Sequence, residues 1–278
     1  MPELPEVEII RRQLDDLSRG NVIPDANVFF DGVIGHPDVD GFSAQIKGKR
    51  FEYADRHGKY LIIYLDDSLR LVFHLRMTGV ISYTSKVLDT KAPHLRLSLL
   101  LASGEAICFF DQRKFGKVWL LQPGEDSRAG IHRLGPDWWK EATLSLFKDR
   151  LKGRGRAQIK NLLLDQSFLA GLGNIYVDES LYRSCIHPCS VVQSLSEEKL
   201  NLLFQAVQET LQEGIEFGGT TFRDYFNTRG ERGAFQSRLQ VYQQHGRMCA
   251  NCNQQIEKIT VGGRGTHFCP GCQPLHEI

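Results

Sequence analysis

No stretch of the 278-residue sequence approaches the ~20 consecutive apolar residues of a membrane span. The opening decapeptide MPELPEVEII offers neither a basic segment nor an apolar core, so no secretory signal is read there. Seven cysteines are too few for a disulfide-dense scaffold, and a cytosolic chain with reduced thiols is expected. There is no internal repeat and no low-complexity tract, which excludes solenoids, collagen-like chains and disorder. Excess charge is missing as well. With 34 Lys+Arg against 33 Asp+Glu, the formal net charge is +1. On net charge alone this argues against a nucleic-acid partner. The distribution is less even. Lys148, Arg150, Lys152, Arg154, Arg156 and Lys160 are interrupted by one acid, Asp149. Arg223, Arg229, Arg232, Arg238, Arg247, Lys258 and Arg264 follow, while Glu3, Glu6, Glu8, Asp15 and Asp16 crowd the N-terminus. This pattern fits a basic face on a near-neutral chain and solvated surface charge equally well.

What is present is an ordinary globular composition, 41% hydrophobic and 24% charged, long enough for two domains or one large one. Leu4, Val7, Ile10, Leu14 and Leu17 recur at helical steps, with Pro5 in the first turn, Glu6 and Glu8 at the positive end of the dipole, and Gly20 as a stop. The runs Tyr60–Leu65, Leu69–Leu75, Leu95–Leu101, Ala106–Phe110 and Val118–Leu121 read as short strands. Asp66-Asp67-Ser68 and Ala102-Ser103-Gly104 are hairpin turns between them, as in a sandwich or barrel. Residues 122–135 lose periodicity and begin an interdomain connection. Beyond Leu144 the pattern becomes helical. Its clearest helix follows Ser194, which with Glu197 fits a capping box. Leu200, Leu203, Phe204, Val207 and Leu211 form its packing stripe, ending near Gly214.

Cys249-x2-Cys252, sixteen residues, then Cys269-x2-Cys272 is the strongest local signal. Each pair can place two thiolates on one side of a tetrahedral ion, and four thiolates select zinc. So short a segment has no core of its own, so the metal would supply its folding energy, on the order of 10 kcal/mol. Cys108 reads as a buried thiol. Cys185 and Cys189 flank His187. His245, His267 and His276 are near the cysteines but are not needed to complete the site. The hairpin tip Val261-Gly262-Gly263-Arg264-Gly265 combines close-approach glycines with a forked phosphate donor.

Met1-Pro2 is a site where the initiator methionine is normally removed, which leaves a prolyl secondary amine at the start of a helix. The helix's positive end disfavours the ammonium form and frees the nucleophile. A secondary amine adding to a carbonyl carbon gives an iminium cation directly, and Glu3 beside it could move protons.

Met1-Pro2-Glu3-Leu4-Pro5-Glu6-Val7-Glu8 resembles the N-terminal signature of formamidopyrimidine-DNA glycosylases, bacterial base-excision repair enzymes. Further similar motifs follow in order. They are Gly58-Lys59-Tyr60-Leu61, His74-Leu75-Arg76-Met77-Thr78-Gly79, Asp111-Gln112-Arg113-Lys114-Phe115-Gly116, Gly171-Leu172-Gly173-Asn174-Ile175-Tyr176-Val177-Asp178-Glu179, and the terminal zinc ribbon. The resemblance covers essentially the whole chain. It implies an α+β multidomain fold: an N-terminal β-sandwich with its first helix (1–133), a helical domain with a helix–two-turn–helix and a lesion-recognition loop (134–239), and a four-cysteine zinc-finger hairpin at the C-terminus (240–278).

The resemblance also implies roles. Pro2 would attack the sugar C1′ and Glu3 would act as acid/base at the sugar. Lys59 would contact phosphate and serve β-elimination, and Arg264 would grip phosphate and serve δ-elimination. Asn174, His94, Arg113, Arg154 and Arg156 would contact DNA. Met77, Arg113 and Phe115 would fill the gap left by an extruded base, although in isolation core packing is the favoured reading of Met77 and Phe115 and only the motif context reverses it. Residues 216–238 would be the recognition loop. One structural zinc on Cys249, Cys252, Cys269 and Cys272, damaged double-stranded DNA as partner, no membrane, a monomeric state and a cytoplasmic, nucleoid-associated location complete the expectation. Leu4 favours oxidised purines over the oxidised pyrimidines of the sister endonuclease VIII group, in which Gly is usual at that place. A non-catalytic zinc-ribbon DNA binder, which predicts binding that survives loss of Pro2 and no covalent intermediate, and an RNA-binding accessory protein, which leaves Pro2, Lys59 and Met77, Arg113 and Phe115 without a purpose, remain open.

Overall fold

The computed structural model describes residues 1–84, 90–221 and 225–275. The expected Arg223 and the tail residues from His276 onward lie outside these. The chain forms two compact units, 1–133 with 215–236, and 134–214 with 237–278.

The first unit opens with α1 (Leu4–Ser18), whose Leu4, Val7, Ile10 and Leu14 are fully buried. The strands follow: β1 (Val22–Ile23), β2 (Asp25–Val28), β3 (Ile34–His36), then, after helix α2 (Val39–Ile46), β4 (Lys49–His57), β5 (Tyr60–Leu65), β6 (Arg70–His74), β7 (Gly79–Thr84), β8 (Leu95–Leu100), β9 (Ala106–Asp111) and β10 (Lys117–Leu121). They form a six-stranded sheet, β1-β4-β5-β6-β10-β3, and a four-stranded sheet, β2-β8-β9-β7. Inward-facing residues of the two sheets, among them Ile63, Leu71, Phe73, Leu97, Ile107 and Phe109, share one buried cluster with α1. The Phe73 and Phe109 rings meet edge-on at 5.9 Å across it. The expected sandwich is therefore present, because each sheet buries one face against the other. Short helix α3 (Asp126–Ala129) folds part of the expected connection into this unit.

Two crossovers place functional residues at one corner. The chain leaves β6 at His74, runs through Leu75–Thr78 and enters β7 in the other sheet at Gly79. It returns from β9 at Asp111 through Gln112–Gly116 to β10 at Lys117. Gly79 pairs with Asp111 in one sheet and His74 with Lys117 in the other, so the two connections run side by side. Gly79 is required there, since a Cβ would lie 2.4 Å from the Leu75 carbonyl oxygen.

The second unit contains α4 (Leu144–Leu151), α5 (Ile159–Leu164), α6 (Asn174–Arg183), all but the last two residues of α7 (Glu197–Glu216) and the hairpin β11 (Glu257–Val261)/β12 (Arg264–Phe268). Trp138, Phe147 and Phe204 meet pairwise at 5.6–5.9 Å, and Phe168 joins Phe147 at 6.1 Å. The expected stripe of α7 is thus packing. Its start differs from expectation. Ser194 sits in a 3-10 turn and donates to the Val191 carbonyl at 2.8 Å. Leu195 is extended, so the helix begins two residues later, and Ser196 Oγ accepts the Lys199 N–H at 3.2 Å. Between α5 and α6 the two turns are stitched by Gln166. Its amide donates to the Leu164 and Leu172 carbonyls and its oxygen accepts the Gly171 N–H, at 2.9–3.0 Å.

Candidate functional site

Pro2 and Glu3 are buried at the N-terminus of α1. Glu3 is the N-cap and forms a reciprocal capping box with Glu6. Glu6 Oε2 accepts the Glu3 N–H at 2.8 Å, while Oε1 accepts the Thr220 N–H, also at 2.8 Å. One buried carboxylate therefore fixes both the Pro2–Glu3 backbone and the segment that opens the expected recognition loop. That segment is held further by Thr228, which donates to Gln13, and by the Tyr83 N–H, which donates to the Thr228 carbonyl at 2.9 Å. One turn along α1, Glu8 accepts from Arg11, Arg12 and the fully buried Arg56. Burial pushes the Glu8 carboxyl up, but the Arg11 and Arg12 hydrogen bonds and the Arg56 charge outweigh it and hold the group below its ordinary value.

Lys59 is buried at the β4–β5 turn, after Gly58 in the left-handed region. His74 is nine-tenths buried, and its Nδ1 accepts the Arg76 N–H at 3.1 Å. Burial first, then the charges of Arg76 and Lys59, push its pKa down to about 3. The imidazole is neutral and leaves this corner's positive charge to Lys59 and Arg76.

The sign of the consequence follows from linkage. The folded pKa lies below the unfolded value near 6.5, so between these pH values the unfolded chain binds a proton that the folded chain refuses. The stabilisation is complete above pH 6.5 and is lost as pH falls towards 3, by ~4 kcal/mol over the window. Urea midpoints measured from pH 7 to 4 should fall less steeply for His74→Asn than for the wild type. Parallel curves would contradict the assignment.

At the corner made by the two crossovers, Met77 and Phe115 are 47% and 53% exposed, which rules out packing as their explanation. The Arg113 guanidinium lies between them, Nη1 2.9 Å from Met77 Sδ and its carbon 5.0 Å from the Phe115 ring centre. The three side chains expected to act together are therefore one exposed cluster. His94 is exposed with φ +68, and its carbonyl accepts the Asp111 N–H at 2.9 Å.

In the second unit the basic stretch does not form one face. Lys160 is fully buried, with Nζ 2.5 Å from Asp178 Oδ1 and 2.7 Å from Thr266 Oγ1. The other Asp178 oxygen accepts the His267 N–H at 2.9 Å, which ties β12 to α6. Arg154 lies over the Phe168 ring at 5.4 Å, and exposed Arg156 follows it on a loop around a shallow cavity of about 560 Å³. Asn174, the first residue of α6, donates through Nδ2 to the Gly265 carbonyl at 2.7 Å. Arg264 is exposed at the hairpin tip, beside Gly262 and Gly263 at φ +56 and +74, the two positive values a tight two-residue hairpin turn demands.

The four Sγ atoms of Cys249, Cys252, Cys269 and Cys272 lie within 4.8 Å of one another. A zinc–sulfur bond of ~2.3 Å in a tetrahedron sets sulfurs ~3.8 Å apart. Cys249 and Cys272 are 3.7 Å apart and Cys252 and Cys269 3.2 Å, so the cage fits zinc. The Tyr182 hydroxyl, 3.2 Å from Cys249 Sγ, is placed to donate to a thiolate. His267 gives its backbone N–H to Asp178 and stacks its imidazole edge-on against the Tyr242 ring at 5.3 Å, and Cys108 is a buried thiol whose pKa burial pushes up to about 11.

Three positioning groups had no role expected of them, although Asp111 and Glu179 lie within motifs that carry the resemblance. Besides Gln166, Glu179 accepts the N–H groups of Gln240, Val241 and Tyr242 at 2.8–3.0 Å. Asp111 is the third. Glu179 and Asp111 are buried acceptors, while half-buried Gln166 both donates and accepts; each serves backbone groups, a role set by tertiary neighbours.

Residues 1–118 match the model of the formamidopyrimidine-DNA glycosylase N-terminal domain, 134–225 that of the formamidopyrimidine-DNA glycosylase H2TH domain, and 246–275 that of a zinc finger found in FPG and IleRS. A formamidopyrimidine-DNA glycosylase of Pelotomaculum thermopropionicum is 40% identical over 99% of this chain and 100% of its own length. One of Oceanobacillus iheyensis is 42% identical over 99% and 98%. Among solved structures, a Lactococcus lactis FPG variant in complex with a Fapy-dG-containing DNA superposes with a TM-score of 0.89, at 36% identity over 98% of this chain and 100% of that one. The wild-type Lactococcus lactis FPG with an oxidised-pyrimidine-containing DNA gives 0.88, with the same identity and coverage.

Proposed function

Because the chain belongs to the formamidopyrimidine-DNA glycosylase family, and so is a base-excision DNA glycosylase and AP lyase with one structural zinc, we propose that Pro2 is its nucleophile and oxidised purines are its substrates. The start of α1 carries this reading: a buried Pro2–Glu3 pair whose backbone is fixed by the Glu6 carboxylate. With Met1 removed, the Pro2 nitrogen is a secondary amine. Its lone pair attacks C1′ of the damaged nucleotide. The glycosidic bond breaks, and its electron pair leaves with the base, which takes up a proton. Opening of the sugar leaves an iminium cation. That cation draws electrons from the C2′–H bond, so loss of the proton expels the 3′-phosphate, and a second elimination expels the 5′-phosphate. Glu3 moves protons at the sugar, Lys59 serves the first elimination and Arg264 the second.

Asn174, His94, Arg154 and Arg156 hold the duplex backbone without reading sequence. Met77, Arg113 and Phe115 occupy the gap left by the everted nucleotide. The same reading divides the chain at 1–133, 134–239 and 240–278 and places a monomer on the nucleoid in the bacterial cytoplasm. Oxidised pyrimidines are a second substrate class, favoured by the Lactococcus lactis complex with such a DNA.

Single-turnover assays on duplexes carrying 8-oxoguanine, a formamidopyrimidine or an oxidised pyrimidine test the substrate, and analysis of the strand ends tests the eliminations. The wild type should release the purines and leave phosphate at both ends of the gap. Arg264→Ala should still release base but stop after the 3′ cut. Release of the oxidised pyrimidine alone would transfer the chain to the pyrimidine-specific reading.

A further inference from the structure

Asp111 lies at the end of β9, where the two crossovers meet, and is 1% exposed. A buried aspartate on a DNA-facing corner needs a reason, because burial of a carboxylate is costly unless its lone pairs are all used. They are used here by both crossovers. From the first, the Thr78 hydroxyl donates to Asp111 Oδ1. From the second, the Arg113 N–H approaches the same oxygen at 3.2 Å and Thr78 Oγ1 at 3.1 Å, and the Gly116 N–H donates to Oδ2 at 2.7 Å. Arg96 Nε donates to the Asp111 carbonyl at 2.8 Å. The side chain receives only donors, so an acceptor-only carboxylate suits it and a carboxamide does not. Gly116 is enforced by the same packing, since a Cβ would lie 2.5 Å from the Phe109 ring and 3.1 Å from Asp111 Oδ2.

The bonded residues bracket the exposed cluster. Thr78 follows Met77, while Arg113 and Gly116 enclose Phe115 in sequence. We propose that Asp111, acting through Thr78, is the positioning residue that locks Met77, Arg113 and Phe115 into one rigid wedge, so that the wedge enters the duplex preformed. This rests on the reading that those three side chains fill the gap. Without the clamp the two connections would still be joined to their strands, but the three tips would sample separate positions. The ordering would then have to occur during base eversion, the step that must break pairing and stacking. Chemistry at C1′ needs none of these groups. An abasic site, with no base to unpair, asks least of the wedge.

The test compares single-turnover cleavage of an 8-oxoguanine duplex and an abasic-site duplex by the full-length zinc-loaded protein. Asp111→Asn replaces one acceptor by a donor facing donors. Thr78→Val removes the link between the crossovers and leaves the carboxylate in place. Both should slow 8-oxoguanine excision by about tenfold or more, Asp111→Asn the more strongly, with abasic-site cleavage within about twofold of wild type. Fluorescence of 2-aminopurine beside the lesion should show slower eversion. Met77→Ala, measured alongside, separates the two levels. If it leaves the ratio of the two substrates unchanged, the gap-filling reading itself fails. If it shifts the ratio and Thr78→Val does not, the clamp is refuted. An equal fall on both substrates with a lowered Tm would make Asp111 a fold residue only and would equally overturn the proposal.

Discussion

A chain that keeps an uncleaved extension on Pro2 should lose base release by at least about 10³-fold, equivalent to ~4 kcal/mol of barrier. The nitrogen would then remain in a peptide bond, where its lone pair is delocalised into the carbonyl and cannot attack C1′. Binding should persist, because the phosphate contacts assigned to Arg264, Asn174 and Lys59 do not involve that nitrogen. Pro2→Gly is the milder case. It restores an amine, but a primary and less constrained one, and excision should fall without the complete loss expected of the extension. Gel-shift affinity and single-turnover excision on one 8-oxoguanine duplex separate the effects. An extended chain with wild-type excision would remove Pro2 from the mechanism.

Zinc removal should have the other large effect. The hairpin β11/β12 has little core of its own: Val261 and Phe268 are buried, and Ile256, Cys249, Cys269, Val241 and Tyr182 form the cluster at its base. The metal supplies on the order of 10 kcal/mol in sites of this kind, more than so small a cluster can replace. Chelation, or Cys249→Ser, should therefore disorder the hairpin, release the Asn174–Gly265 hydrogen bond and unfix Arg264. Losing two charge-assisted phosphate contacts at ~1.5 kcal/mol each weakens binding about 100-fold. Amide exchange in 257–268 and DNA affinity, each measured with and without added zinc, check it. A chelated protein with protected amides and full affinity would contradict a structural role for the metal.

The parts of the fold legible in the sequence are those governed by local pattern. The runs Tyr60–Leu65 and Ala106–Phe110 appear as β5 and β9 within a residue at each end, because alternation and turn residues are local properties. Helix α2 carries no such signal, since it is one short amphipathic turn pair containing Gly41. The N-cap of α7 lies two residues beyond its expected place: Ser194 and Glu197 fit the capping-box pattern, but Leu195 is extended and Ser196 accepts the Lys199 N–H instead. In the site, the four cysteines were legible from spacing alone. Lys59 was legible only through the family motifs, while Pro2 and Arg264 carried a weak chemical signal that the motifs strengthened. Met77 and Phe115 could not be told from core residues until their exposure was known. Lys160 read as part of a basic face, and its burial with Asp178 depends on β12, a hundred residues away in sequence.

The most direct measurement is borohydride trapping on a duplex carrying one 8-oxoguanine opposite cytosine, followed by mass spectrometry of the trapped peptide. Hydride reduces an iminium to a stable amine and leaves the enzyme fixed to the sugar. A covalent complex whose DNA remnant sits on a peptide beginning at Pro2 is the expected result. Base release with no trapped complex, or a remnant on a lysine such as Lys59, from protein shown to lack Met1 and to hold zinc, would contradict it.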